Sequence, residues 1–230
     1  MKKYHVFKIN LVVLNILSII LLALIIAFSI VFFPEHMKEV QALLNDIKFS
    51  FMFLPLLIIY FTGHELLHAL GYIINGANPQ KITFGAELEK TVLYCLCKDE
   101  VSKRNILISL MFPLFFLTIV AYPIAIIFHY PILLVLSILN FSGAAGDIMY
   151  FLFIIKLDKE LKYSELDDGI AFALICKDDP SKYKHIGLDY IGPTSEISRK
   201  DFKRVKISKL SFVIFAFALI LLIMGILIKI

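Results

Sequence analysis

Charged side chains are scarce in this chain. Asp, Glu, Lys and Arg make up 18% of its 230 residues, where an ordinary globular protein carries about 25%. Three cysteines are too few for a disulfide scaffold, and ten glycines and eight prolines exclude collagen-like and low-complexity chains. No basic stripe interleaved with aromatics is present, so the net charge of +4 calls for no nucleic-acid partner. What is abundant is apolar: 60% of the residues are hydrophobic, against about 45–50% in a soluble domain. The composition is that of an integral membrane protein whose partner is the lipid bilayer.

Five apolar runs are long enough to cross a bilayer, which takes about 17–25 residues. They fall at about 9–33, 49–75, 105–129, 131–156 and 208–229. The first is too long for a signal peptide's apolar region and reads as a retained anchor. The third and fourth meet at His129-Tyr130-Pro131, which leaves room for a tight turn between antiparallel helices. Counting Lys and Arg orients the spans. With the N-terminus in the cytoplasm, Lys38, Lys48 and Lys229 are the basic residues left outside, and the other 20 of 23 fall inside. The expected location is the plasma membrane, multi-pass, with a cytoplasmic N-terminus. Cys95, Cys97 and Cys176 then face the cytoplasm as free thiols.

Two cytoplasmic segments are large enough to have structure. In 76–104, Lys81-Ile-Thr-Phe84 and Thr91-Val-Leu-Tyr-Cys-Leu-Cys97 are β-branched and aromatic runs on either side of Gly85 and charged residues, which predicts a β-hairpin. Residues 157–207 mix polar with apolar positions and suggest a small subdomain. The expected fold class is an all-α polytopic membrane protein of about five transmembrane helices, with that hairpin and that subdomain. Its parts are a membrane core over 1–157, a cytoplasmic segment over 158–207 and a C-terminal transmembrane helix over 208–230.

Ionisable residues inside apolar spans are expensive, about 2.5–3.5 kcal/mol each at mid-bilayer on insertion scales. Among the acids, Glu65 and Asp147 lie there, and among the histidines, His64 and His68. His64-Glu65-Leu66-Leu67-His68 has the form H-E-x-x-H, in which i and i+4 imidazoles share one helix face and take two corners of a zinc tetrahedron. Glu65, on the flank of that face, is placed to act as general base without ligating. Chance alone gives this pattern in about six chains per thousand of this size. Chance does not account for its falling in a membrane span, where each residue is costly.

A catalytic zinc needs a third protein ligand and an open position. Gly71 and Ile74 occupy the places where an extended H-E-x-x-H-x-x-G-x-x-H would have glycine and histidine, so that route fails. Glu87 and Glu89 lie in the expected hairpin, outside the membrane. Asp147 is favoured by depth: it and the two histidines lie about 10–17 Å from the cytoplasmic ends of their helices. The run Ser142-Gly-Ala-Ala-Gly146 before it lets helices approach closely. Asn140, seven residues before Asp147 on nearly the same face, is a candidate for orienting substrate or water, or for an interhelical hydrogen bond.

The stretch Phe61-Thr-Gly-His-Glu-Leu-Leu-His-Ala-Leu-Gly71, with Ser142-Gly-Ala-Ala-Gly-Asp147 two spans later, resembles a bacterial membrane family of zincin peptidases. It is distantly similar to site-2 intramembrane zinc metalloproteases. The resemblance covers roughly residues 50–190. It implies Zn2+ as cofactor, His64, His68 and Asp147 as metal ligands, Glu65 as the catalytic residue, and a membrane protein or peptide as substrate. Site-2 proteases place the aspartate in a Leu-Asp-Gly context, whereas this chain has Gly146-Asp147-Ile148 and no segment long enough for a PDZ domain. The expected activity is hydrolysis of peptide bonds near the cytoplasmic side, with the 81–97 hairpin pairing to an extended substrate. A metal-binding membrane protein without proteolysis, and an accessory or immunity-type protein with a vestigial site, are the alternatives.

Overall fold

A computed structural model describes residues 3–87, 92–166, 171–184 and 186–194. Strand β1 (Tyr4–Ile9) leads directly into helix α1 (Leu11–Phe32), whose first amides are capped by the Asn10 side chain. A short helix α2 (Pro34–Leu44) follows, then the long α3 (Ile47–Ile74), capped by Asp46. Strands β2 (Ile82–Glu87), β3 (Val92–Cys97) and β4 (Val101–Ser102) precede α4 (Lys103–Leu114). A π-helical segment over Phe115–Val120 joins α4 to α5 (Ala121–Ile127). The helices α6 (Pro131–Gly143) and α7 (Ala145–Ile154) then lead to β5 (Lys162–Glu165), β6 (Ala171–Ile175) and β7 (Leu188–Thr194).

The all-α, five-span expectation is overturned. Five strands form one antiparallel sheet in the order β4-β5-β6-β1-β7, and β2 pairs with β3 in a second sheet. The two-stranded sheet is the hairpin expected at 81–97. The larger sheet combines the N-terminal residues with what read as a separate cytoplasmic segment. An interior strand of it, β1 (Tyr4-His-Val-Phe-Lys-Ile9), buries His5, Phe7 and Ile9 and turns Tyr4, Val6 and Lys8 outward, which is the period of a half-buried strand. Lys8, with Lys2 and Lys3 before the strand, reads as a membrane flank because the partners of β1 lie more than 160 residues away.

Three helical stretches are long and apolar enough to cross a membrane: Leu11–Phe32, Phe51–Ile74 and Lys103–Ile127. The pair α6 and α7, bent by 45° at Ala144, makes a fourth if taken as one span. The span expected at 208–229 lies outside the described residues. On α1, Val12, Ile19 and Val31 are exposed, and such apolar surface is compatible with membrane association. The strands all sit where α1 begins and where α3 and α7 end, whereas α2 and the α5–α6 turn occupy the opposite end. A core of Phe7, Phe153, Tyr163, Phe172 and Leu174 packs the large sheet onto the helix ends. The Phe7 ring lies 4.8 Å from Phe153 and 5.6 Å from Phe172. Lys103 Nζ donates to the carbonyls of Ile155 and Leu157, which satisfies the C-terminal end of α7 and fixes it level with the start of α4.

Candidate metal centre

His64 and His68, one helical turn apart on α3, both point into the bundle and are buried. Their Nε2 atoms lie 3.1 Å apart. Asp147, in the first turn of α7, meets both: Oδ2 is 3.3 Å from His64 Nε2 and Oδ1 is 3.5 Å from His68 Nε2. The break at Ala144 ends α6 and starts α7, so Asp147 sits at a helix N-terminus whose dipole favours its negative charge. The three residues that sequence reasoning placed at one depth are thus brought to one point.

The far sides of both imidazoles are held. His64 Nδ1 donates to Asn140 Oδ1 at 2.8 Å, and His68 Nδ1 donates to the Ser109 carbonyl at 2.9 Å. With the Nδ1 protons so engaged, each Nε2 presents its lone pair to the centre, the arrangement by which metal-ligating histidines are oriented. Asn140 is itself held on its other side. Its Nδ2 donates to Thr118 Oγ1 at 2.9 Å and to the Pro113 carbonyl at 3.3 Å. Pro113 has no N–H for the helix ladder, and the π-helical turn that follows places Thr118 where it can accept from Asn140.

Glu65 lies beside the two histidines, and its carboxylate, His64 and His68 form one of the groups whose ligand atoms lie within 4.8 Å of one another. The Cys95 backbone N–H of β3 donates to it. A cavity of about 180 Å³ opens in front of these groups, lined by His64, Glu65, His68, Asp147, Tyr150 and Glu165 among others. The donor set of two imidazoles and one carboxylate, with a second carboxylate at the flank, suits Zn2+, with the cavity at its open side. The side chain of Glu87, and Glu89, the other third-ligand candidates, lie outside what is described.

Glu165 escaped the sequence reading. It sits on β5 and lines the cavity. Its Oε1 accepts from Tyr72 Oη at 2.8 Å, and its Oε2 accepts from the Cys97 amide at 2.6 Å, so one carboxylate ties α3, β3 and β5 together. Burial raises it to about 7. Nothing local marks it; only the pairing of β5 with β6 and β4 carries it to the site. Cys95, Cys97 and Cys176 are free. Burial raises all three thiols, Cys97 to about 11 and Cys176 to about 12, so they stay protonated at neutral pH.

No curated protein and no solved structure matches the chain. The segment that contains His64, Glu65, His68, Asn140 and Asp147 does have a match: residues 56–161 fit the model of the family described as "Putative zincin peptidase".

Proposed function

We propose that the chain is an intramembrane zinc metallopeptidase that cleaves membrane proteins or membrane-associated peptides at the sheet end of its helix bundle. That is the end the Lys and Arg distribution assigns to the cytoplasm. The family match suggests a zinc metallopeptidase. The observation that carries the finer reading is the convergence of His64 Nε2, His68 Nε2 and Asp147 with both Nδ1 atoms already anchored.

Zinc held by His64, His68 and Asp147 would supply Lewis acidity and bring the pKa of water toward about 7. Glu65 takes the proton of the attacking water and delivers it to the leaving amine. Asn140 acts on His64 through its oxygen, and both its N–H groups are held by α4 and the π-helical segment. The cavity, about 180 Å³, is below the range of about 300–1,000 Å³ for ligand pockets. It admits a peptide group and water, so the substrate enters as an unwound segment and not as a helix.

The test is zinc content and cleavage in detergent-purified protein. Wild type is expected to hold zinc at the centre and to lose it in His64→Ala and Asp147→Ala. Glu65→Gln is expected to keep the zinc and lose turnover by about 10²–10⁴-fold. A Glu65→Gln variant as active as wild type would leave a metal-binding protein without proteolysis, and a metal-supplemented, folded wild type without zinc at His64 and His68 would end the proposal.

A further inference from the structure

At the opposite end of the bundle, three side chains with no part in this chemistry meet. His36 and Glu39 lie three residues apart on α2 and so share a face. His129 comes from the turn between α5 and α6. One ligand atom from each lies within 4.8 Å of the other two. The imidazoles of His36 and His129 stack with centroids 4.4 Å apart and planes 20° from parallel. His129 Nδ1 lies 2.9 Å from Glu39 Oε1.

Two features go beyond a surface ion pair, and the turn presents the third side chain. His36 Nε2 donates to the Ile126 carbonyl at 2.9 Å, which leaves Nδ1 as the lone-pair nitrogen, just as backbone carbonyls set the tautomer of metal ligands. Glu39 Oε2 is buried and has no hydrogen-bond partner among the described residues, and such an atom normally has one. His129 adopts φ of +54° just past the C-terminal cap of α5, where the Tyr130 N–H bonds the Ala125 carbonyl at 2.9 Å. That conformation turns the chain so that its ring lies over His36.

We infer that His36, Glu39 and His129 form a second metal site, for a divalent first-row ion such as Zn2+. Two imidazoles and one carboxylate are the donor set such ions take, and the exposed side of His129 leaves a position for water. The site clamps α2 to the α5–α6 turn. Leu14 of α1 lines the cavity of the first centre, and Phe33, just past the other end of α1, packs edge-on against His36. At 1.5 Å per residue the two sites stand roughly 28 Å apart. They cannot share a ligand or an ion.

The experiment uses the full chain in detergent, with zinc as the probe, in a His64→Ala/His68→Ala background that removes the first centre. This background is expected to bind one further zinc and to show a zinc-dependent rise in melting temperature. Adding His36→Ala or His129→Ala is expected to weaken that binding more than about tenfold and to abolish the rise; Glu39→Gln does the same with little change in shape. In the otherwise wild-type chain, His129→Ala is expected to remove one zinc and keep the one at His64 and His68, so the two proposals fail separately. No zinc bound in the background, or equal zinc affinity in the His36, Glu39 and His129 variants, would show a hydrogen-bonded triad without a metal and overturn the inference.

Discussion

At the scale of single residues, the centre depends on side chains that touch no substrate. Asn140 and the Ser109 carbonyl set the two imidazoles, and only Asn140 can be changed by substitution. Asn140→Ala is expected to lower zinc affinity about 10–100-fold, measured by competition with a chelator, with the helical circular dichroism unchanged. An unchanged affinity would mean that the bond to His64 is incidental. Glu165 gives a different signature. Its carboxyl is raised to about 7 by burial, against about 4.3 in an unfolded chain. Between those values the folded state holds a proton that the unfolded state has lost. In metal-stripped protein, stability therefore falls as pH rises through that window and is level above it, by at most about 4 kcal/mol. Glu165→Gln, which stays neutral, is expected to flatten that part of the profile of denaturation midpoint against pH.

At the scale of elements, α3 and α4 are set by how closely they approach. A Cβ on Gly71 would meet the Ser109 backbone at 2.7 Å, whereas one on Gly63, on the same helix, would meet nothing within 4 Å. Ser109 also donates its hydroxyl to the His68 carbonyl at 2.8 Å, so any displacement of α4 shifts the acceptor of His68 Nδ1. Gly71→Ala is expected to destabilise by about 1–3 kcal/mol and to weaken zinc binding, despite alanine's better helix propensity. Gly63→Ala is expected to be neutral or to stabilise by up to about 1 kcal/mol. Thermal unfolding of the two variants side by side separates packing from propensity. What the sequence revealed divides at the same scale. His64, Glu65 and His68 are four residues apart at most, so their common face follows from helix geometry alone. Asp147 was within reach because the second and fourth apolar runs cross in the same direction, so depth can be counted back from Asn75 and Lys156. The hairpin could be found from β-branched runs that pair locally. Glu165 and the strands β5, β6 and β7 were not legible, because they belong to a sheet into which the first strand of the chain inserts between β6 and β7.

At the scale of the whole molecule, that first strand holds the two halves of the structure together. β1 lies between β6 and β7, pairing with Ala171–Leu174 on one side and with Leu188–Thr194 on the other. Phe7 is fully buried against Phe153 of α7 and Phe172 of β6. Ile9, Leu11 and Leu14 carry the chain from the sheet to the wall of the cavity. Removing residues 1–9 takes out an interior strand, not an edge, and leaves β7 with no neighbour among the described strands. β5 keeps its pairing with β6 over Lys162–Glu165 and with β4 over Val101–Ser102, but β6 becomes an edge and loses the Phe7 ring that packs Phe172 onto Phe153, so the hold of this remnant on Glu165 against Tyr72 and Cys97 loosens. The metal ligands are placed by helices that pack on one another, α3 on α4 and α4 on α7, and none of these contacts involves β1. The truncated protein is therefore expected to keep its zinc at His64, His68 and Asp147 while becoming cleavable by added protease between residues 158 and 194. Its peptidase activity is expected to fall because the wall at Ile9 is lost and the anchor at Glu165 loosens. If zinc and protease resistance are lost together, the helical centre and the sheet fold as a single unit; if both survive, β1 is dispensable and the sheet is held by the helix ends alone.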